Sequence, residues 1–142
     1  MNLVHQLAFF IVAASSLYHL VMGSLCLLNR RLVGRLAKFF YKFEMPEKSH
    51  AGFEYAMKPL GLFAIFTGLV CAIAVVNPGP WVIGLKVSLA VLFVGRALVR
   101  EIYKDLLYEA FAITSDRSRW NIYLNMVLSA ILLISAFTSG PQ

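Results

Sequence analysis

The stretch PLGLFAIFTGLVCAIAVVNPGPWVIGLKVSLAVLFVGRALV, residues 59–99, contains two long apolar runs on either side of a short turn. Each run approaches the roughly 20 residues that a helix needs to cross a bilayer core of ~30 Å. The turn, NPGP at residues 77–80, has two prolines and a glycine that stop a helix, and Trp81 after it is typical of a membrane interface. This stretch predicts two membrane-spanning helices joined by a tight hairpin.

The composition of the whole chain favours the same class of protein. Of its 142 residues, 60% are hydrophobic and 14% are charged, and the mean hydropathy is +0.75, as in proteins that fold in lipid. We therefore predict one all-α domain over residues 1–142, an integral membrane four-helix bundle. The first run lacks a basic segment before it and is too long for a secretory signal, so we predict that it is retained. The predicted spans cover residues 3–28, 59–76, 81–99 and 120–137.

The positive charges predict the orientation of the chain. Lysine and arginine are concentrated in residues 29–58 and 96–119, whereas the NPGP turn and the regions near both chain ends have none. The positive-inside rule then predicts an inner (plasma) membrane protein with both termini outside. We expect the net charge of +6 to reflect this topology and an attraction to anionic lipids at the cytoplasmic face. No nucleic-acid-binding motif accompanies it, and no nucleic-acid partner is expected.

Helices 1 and 3 are predicted to extend into the cytoplasm, over residues 29–43 and 100–113. The segment RALVREIYKDLLYEAF, residues 96–111, keeps apolar residues at helical spacing without proline or glycine, so helix 3 is predicted to run unbroken to about Ile113. Each extension has one like-charged stripe, and the two stripes could pair with each other or bind partner subunits and lipids. The basic stripe is Arg31, Arg35, Lys38 and Lys42, and the acidic stripe is Glu101, Asp105 and Glu109.

Small and polar residues at helical spacing within the spans predict where helices pack closely, because lipid supplies no hydrophobic force between helices. Lys86 and Arg96 lie near the ends of the third span and are predicted to extend towards the headgroups. The residues assigned to packing inside the membrane are Ser15, Gly61, Gly68, Asn125 and Ser129.

His19 is the most unusual residue of the first span, in the stretch ASSLYHLVMGSLC at residues 14–26. A neutral imidazole there is suited to binding the iron of haem or the magnesium of chlorophyll, and His5 lies on nearly the same helix face as a second candidate ligand. No other predicted span contains a histidine to complete a six-coordinate haem. We therefore predict no cofactor, and expect His19 to hydrogen-bond a serine or asparagine of a neighbouring helix, such as Asn125.

The sequence contains no recognised enzyme signature, whether for zinc proteases, serine hydrolases, nucleotide binding or dinucleotide binding. The predicted spans contain no Asp or Glu, which weighs against a proton pump or coupled transporter. His50 and Glu54 lie one helical turn apart, but we predict no metal site there. The expected function is a non-catalytic accessory or assembly subunit of a larger inner-membrane complex, bound to other membrane subunits or to copies of itself. The alternatives are a subunit with haem or chlorophyll on His19 and a small oligomeric channel.

Overall fold

The computed structural model describes residues 3–28, 51–111 and 115–138, together with Leu32, Arg35, Lys38 and Phe39. The described part of the chain is helical and contains no strand. Four of its helices are long and apolar enough to cross a membrane, which confirms the prediction of an all-helical protein with four candidate spans. The helices are α1 (Leu3–Leu28), α2 (Ala51–Val76), α3 (Trp81–Ile102), α4 (Lys104–Phe111) and α5 (Ser115–Thr138).

Two of the spanning helices begin earlier than their apolar runs. α2 starts at Ala51 and continues through Pro59, although only Met57–Val76 is apolar enough to span a membrane. A proline inside a helix removes one backbone hydrogen bond, which a membrane helix can tolerate when its neighbours satisfy the freed groups. α5 likewise starts at Ser115, ahead of its apolar part at Ser118–Thr138. In these two helices, hydropathy therefore marks only the part suited to lipid, which is shorter than the helix itself.

The closest helix pairs are α1 with α2 and α3 with α5, and α1 also contacts α5. The buried side chains between the helices are mostly small, while many large apolar side chains such as Phe63 and Phe137 are exposed, as lipid-facing residues would be. The core consists of Ala8, Val12, Cys71, Ala74, Leu89, Ala90, Phe93 and Leu132.

Glycines allow α1 and α2 to approach within backbone contact. A Cβ atom on Gly61 would lie 2.9 Å from the carbonyl oxygen of Gly23, and one on Gly68 would lie 2.9 Å from the backbone nitrogen of Leu20. The Ser16 hydroxyl also donates a hydrogen bond of 2.9 Å to the Gly68 carbonyl. Any larger residue at Gly61 or Gly68 would push the helices apart, so this pair depends on close packing.

A lysine of α2 lies beside backbone carbonyl oxygens of α1 near Leu28. Lys58 Nζ donates a hydrogen bond of 2.6 Å to the carbonyl oxygen of Leu27 and lies 3.4 Å from that of Cys26. The Lys58 ammonium has three N–H donors and no acceptor, so it can bond to carbonyl oxygens of a neighbouring helix. Lys58 therefore links the two helices at the end nearest the connection between them.

The predicted unbroken third helix is wrong at one residue. α3 ends at Ile102, and Tyr103 has φ −107° and ψ 30° before α4 begins at Lys104. The Tyr103 amide still donates to Val99 O at 3.0 Å, so the chain is interrupted for a single residue. Residues 101–106 are all exposed, and a helix without packing on one face loses most of its support. No proline or glycine marks this break in the sequence.

The predicted extension of α1 falls almost entirely on residues that lie outside the described part of the chain. Within 29–43, Leu32, Arg35, Lys38 and Phe39 are described, and each is helical and exposed. The helical extension over 29–43 therefore stays a prediction.

Candidate functional site

A groove of about 1160 Å³ lies between α1, α3 and α5. It is lined by side chains from residues 7–19 of α1, 91–100 of α3 and 121–131 of α5. Pockets for small molecules typically have about 300–1,000 Å³, so this groove has room for a large ligand. Phe10 and Val91 line it and are themselves 67% and 65% exposed, so the groove opens sideways towards the surrounding lipid.

Polar and apolar side chains are separated along the groove. Consecutive spans alternate in direction, so α1 and α3 run the same way and α5 runs the opposite way. As a result, the polar side chains of all three helices meet at the end nearest the charged connections, whereas the remainder of the lining is mainly apolar. The polar lining residues are Ser15, Tyr18, His19, Arg96, Arg100, Asn121 and Asn125.

His19 lies at this polar end and is 5% exposed. Its Nδ1 is 2.7 Å from the carbonyl oxygen of Ser15, one turn earlier in α1, and the carbonyl can only accept, so Nδ1 carries the proton. The Tyr18 ring lies edge-on to the imidazole with 5.2 Å between the ring centroids. The predicted partner on a neighbouring helix was wrong, because the hydrogen bond of His19 is to Ser15 O of its own helix, while the Asn125 side chain donates a bond of 2.6 Å to Asn121 O within α5.

The polar end is positively charged. The guanidinium carbon of Arg96 lies 5.9 Å from the centroid of the Tyr18 ring, within the range of a cation–π contact. Arg96 and Arg100 both line the groove and are half-buried, and none of the lining residues that the structure describes is acidic. Arg96 thus lies against α1, a contact that its predicted extension towards the headgroups did not include.

A second polar cluster joins the same three helices near the NPGP turn. Lys86 Nζ donates a hydrogen bond of 2.9 Å to Ser135 Oγ, which is 3.3 Å from Nδ1 of His5. A serine beside a lysine can be a nucleophile beside its base, but Ser135 is 0% exposed and no substrate could reach it. We therefore interpret the cluster as a structural link between the helices.

This link was missed by the sequence analysis, which predicted that Lys86 extends towards the headgroups. The sequence positions of these residues could have indicated the link, because they place all three at a similar depth in the membrane. Lys86 follows Trp81 by little more than a turn, His5 is near the start of α1, and Ser135 is near the end of α5. His5 contacts Ser135 and is not among the residues that line the groove with His19.

The other predicted residues are scattered over the described structure. Ser15 and Ser129 are buried, and Gly61 and Gly68 lie between α1 and α2. All three acidic residues of the predicted stripe are exposed, and Glu101 Oε1 lies 3.7 Å from Lys104 Nζ on the neighbouring turn. Of the basic stripe, Arg31 and Lys42 lie outside the described residues.

Metal ligands do not gather in the part of the chain that is described. There, no three His, Cys, Asp or Glu side chains are placed as a metal site would require. His50 lies outside the described residues, so its suggested pairing with Glu54 stays untested.

No protein-family model matches the chain, and no curated protein or solved structure is significantly similar to it. The part of the chain that the structure describes is a helical protein with four candidate membrane spans, a polar link between three helices and a charged groove, and its fold alone does not define a function.

Proposed function

We propose that this chain is a non-catalytic accessory or assembly subunit of a larger inner-membrane complex, and that it binds other membrane subunits or copies of itself. The observation that carries the proposal is the Gly84–Ser88 patch, a pair of small residues on the exposed side of α3. In the described part of the chain, no atom of another helix lies within 4 Å of an ideal Cβ at Gly84, and both residues are exposed.

Three other glycines of the spans contrast with this patch. A Cβ on Gly23, Gly61 or Gly68 would meet an atom of the facing helix at 2.6–2.9 Å, so these glycines are already used within the chain. Small residues spaced four apart let membrane helices approach closely, and Gly84 and Ser88 have this spacing without a partner helix in the described structure. The Ser88 hydroxyl donates to Gly84 O at 2.9 Å, so the patch presents no unsatisfied hydroxyl to a partner helix.

Leucine at both positions tests the proposal, because it fills the patch without changing its apolar character. We expect the Gly84→Leu/Ser88→Leu variant to lose its partner subunits or its dimer when it is extracted in native lipid nanodiscs. The measurement is the particle mass together with the stoichiometry of each co-purified chain. Ala130→Leu is the matched control, since Ala130 is an exposed small residue on α5. Equal mass and composition in wild type and both variants would rule out the patch as an interface.

The charged surfaces beyond the spans belong to the same proposal. Glu101, Asp105 and Glu109 are exposed on and beside α4, where partner subunits could bind them. Arg35 and Lys38 are exposed as well, and anionic lipids at the cytoplasmic face would attract them. The proposed orientation, with both termini outside an inner membrane, places all of these residues on the cytoplasmic side.

One observation favours a second candidate function, a subunit with haem or chlorophyll on His19. The hydrogen bond from Nδ1 to Ser15 O leaves the lone pair of a neutral imidazole on Nε2, and metal-bound histidines commonly donate their other nitrogen in this way. Among the described lining residues there is no second histidine, methionine or cysteine, so these residues offer one axial ligand. An absorption spectrum of gently purified protein tests this candidate, which requires a Soret or chlorin band at stoichiometric amount.

A further inference from the structure

We propose that the groove between α1, α3 and α5 binds an acidic membrane phospholipid, with its phosphate at Arg96 and Arg100 and one acyl chain along the apolar part. This site is independent of the Gly84–Ser88 patch. It is a lipid-binding groove between three helices of the same chain.

The length of the groove matches one leaflet of a bilayer. Its α1 side runs from Leu7 to His19, which is about 18 Å at 1.5 Å per residue. Half of a bilayer core of ~30 Å is about 15 Å, the depth that one acyl chain occupies. The polar end of the groove lies beside the charged connections. A lipid of that leaflet can therefore enter with its headgroup at the polar end and its acyl chain along the apolar part.

The charges of the groove select an anionic headgroup. Two arginines line its polar end, and none of the described lining residues is a carboxylate, so the described lining carries a net positive charge. Arg96 contacts the Tyr18 ring through its charge, and within the described residues no oxygen acceptor is hydrogen-bonded to its guanidinium. A phosphate would supply that acceptor, and arginine pairs with phosphate through two parallel hydrogen bonds.

The remaining lining favours a lipid chain as the rest of the ligand. Leu7, Phe10, Leu128 and Ile131 form the apolar part, and the exposed side of Phe10 leaves the groove open to the bilayer along its length. A soluble phosphate ester would leave this apolar part unfilled, whereas an acyl chain would cover it. The ligand is therefore a lipid drawn sideways from the membrane.

The test measures which lipid stays with the purified protein. The full chain is reconstituted in nanodiscs with equal amounts of dioleoyl phosphatidylglycerol and dioleoyl phosphatidylcholine, transferred to mild detergent, and analysed by native mass spectrometry. Wild type should retain one phosphatidylglycerol in preference to phosphatidylcholine. In Arg96→Gln/Arg100→Gln the preference should fall by about fivefold for each arginine removed, since each basic side chain contributes roughly 1 kcal/mol towards an acidic lipid.

Two matched controls separate the groove from charge and from folding. Lys104→Gln/Arg119→Gln removes two exposed basic side chains elsewhere and should keep the preference. Gly95→Leu adds bulk to the groove lining while both arginines stay in the chain. No atom of another described helix lies within 4 Å of its ideal Cβ, so the variant should fold and lose the lipid. Gly84→Leu adds the same bulk at an equally open glycine outside the groove and should keep the lipid.

Equal lipid retention in wild type, the double arginine variant and Gly95→Leu would overturn the proposal. A stoichiometric Soret band that disappears in Gly95→Leu would also overturn it, because a tetrapyrrole would then occupy the groove. The assembly role is read separately, from the particle mass of Gly84→Leu/Ser88→Leu, so either proposal can fail while the other stands.

Discussion

Lys86 Nζ lies 2.9 Å from Ser135 Oγ, and this one hydroxyl also contacts Nδ1 of His5 at 3.3 Å. The contacts connect α3, α5 and α1 near the NPGP turn, where no carboxylate of the described residues lies beside Lys86. A lysine inside a membrane is costly unless it reaches water or a polar partner. We infer that Ser135 makes Lys86 tolerable at this depth and that Lys86 holds the three helices together.

Removing only the serine should therefore cost more than removing both partners. Ser135→Ala leaves the lysine without its acceptor, and we expect a loss of about 1–3 kcal/mol in the free energy of unfolding. Lys86→Met/Ser135→Ala should recover most of that loss, because both polar groups are then replaced by apolar ones. Equilibrium unfolding in mixed micelles measures both variants.

Ser88→Ala is the control for this pair, since its hydroxyl bonds only to Gly84 O of its own helix and is exposed. It should be close to wild type. A Ser135→Ala protein as stable as Ser88→Ala would show that Lys86 reaches the headgroups, as the sequence alone had predicted.

Alanine substitutions should divide the glycines into two groups. A Cβ on Gly68 would lie 2.7 Å from Leu20 Cγ and 2.9 Å from Leu20 N, and backbone cannot move aside as a side chain can. We expect Gly68→Ala to destabilise the protein by about 1–3 kcal/mol, as overpacking does elsewhere. Gly84→Ala and Gly95→Ala meet nothing within 4 Å and should be neutral or more stable by up to ~1 kcal/mol, because alanine favours helix.

The same unfolding assay compares these three variants directly. If Gly68→Ala were as stable as Gly84→Ala, α1 and α2 would not be in backbone contact, and the close pairing of these helices would be incorrect.

Single cysteines in a chain with Cys26 and Cys71 replaced by alanine test the orientation. Asn77 in the NPGP turn and Asp116 at the start of α5 are both exposed, so each position is accessible to reagent from its own side of the membrane. In intact cells an impermeant thiol reagent should label Asn77→Cys and leave Asp116→Cys unlabelled until the cells are opened. Ser118 is 5% exposed and would be a poor reporter from either side. The opposite labelling would reverse the proposed topology.

The number of spans could be predicted from the sequence because it depends only on the length of apolar runs. The predicted span 3–28 lies within α1, because a long apolar run favours a helix in lipid. The helical residues of α2 before Met57 and the break at Tyr103 could not be predicted in this way. Polar residues can continue a helix, and the break falls among exposed residues that lack packing; hydropathy measures neither effect.

The groove was beyond prediction because it depends on which helices pair. Stripes of small residues indicate that a helix packs, but they do not say that α1 pairs with α2 and α3 with α5. Arg96 and Tyr18 belong to helices that are separated in sequence by a whole span, and their contact follows only from that arrangement. The partner of His19 was mispredicted because a neighbouring helix was expected to supply it, whereas the imidazole bonds to the Ser15 carbonyl within its own helix.

The Ser15 carbonyl also decides what His19 substitutions should do. Its oxygen already has a place in the backbone ladder of α1, so losing the imidazole leaves no buried acceptor unpaired, and side-chain hydrogen bonds inside membranes contribute only ~0.6 kcal/mol on average. We expect His19→Gln and His19→Leu to differ by less than about 1 kcal/mol in the free energy of unfolding, and both to retain the particle mass of wild type. A marked loss in leucine alone would reveal a polar partner of Nε2 across the groove. Loss in the His19→Gln variant of a stoichiometric visible absorption band that wild type has would instead show that His19 is a metal ligand. Unfolding curves and absorption spectra of the same preparations therefore separate a packing role from cofactor binding.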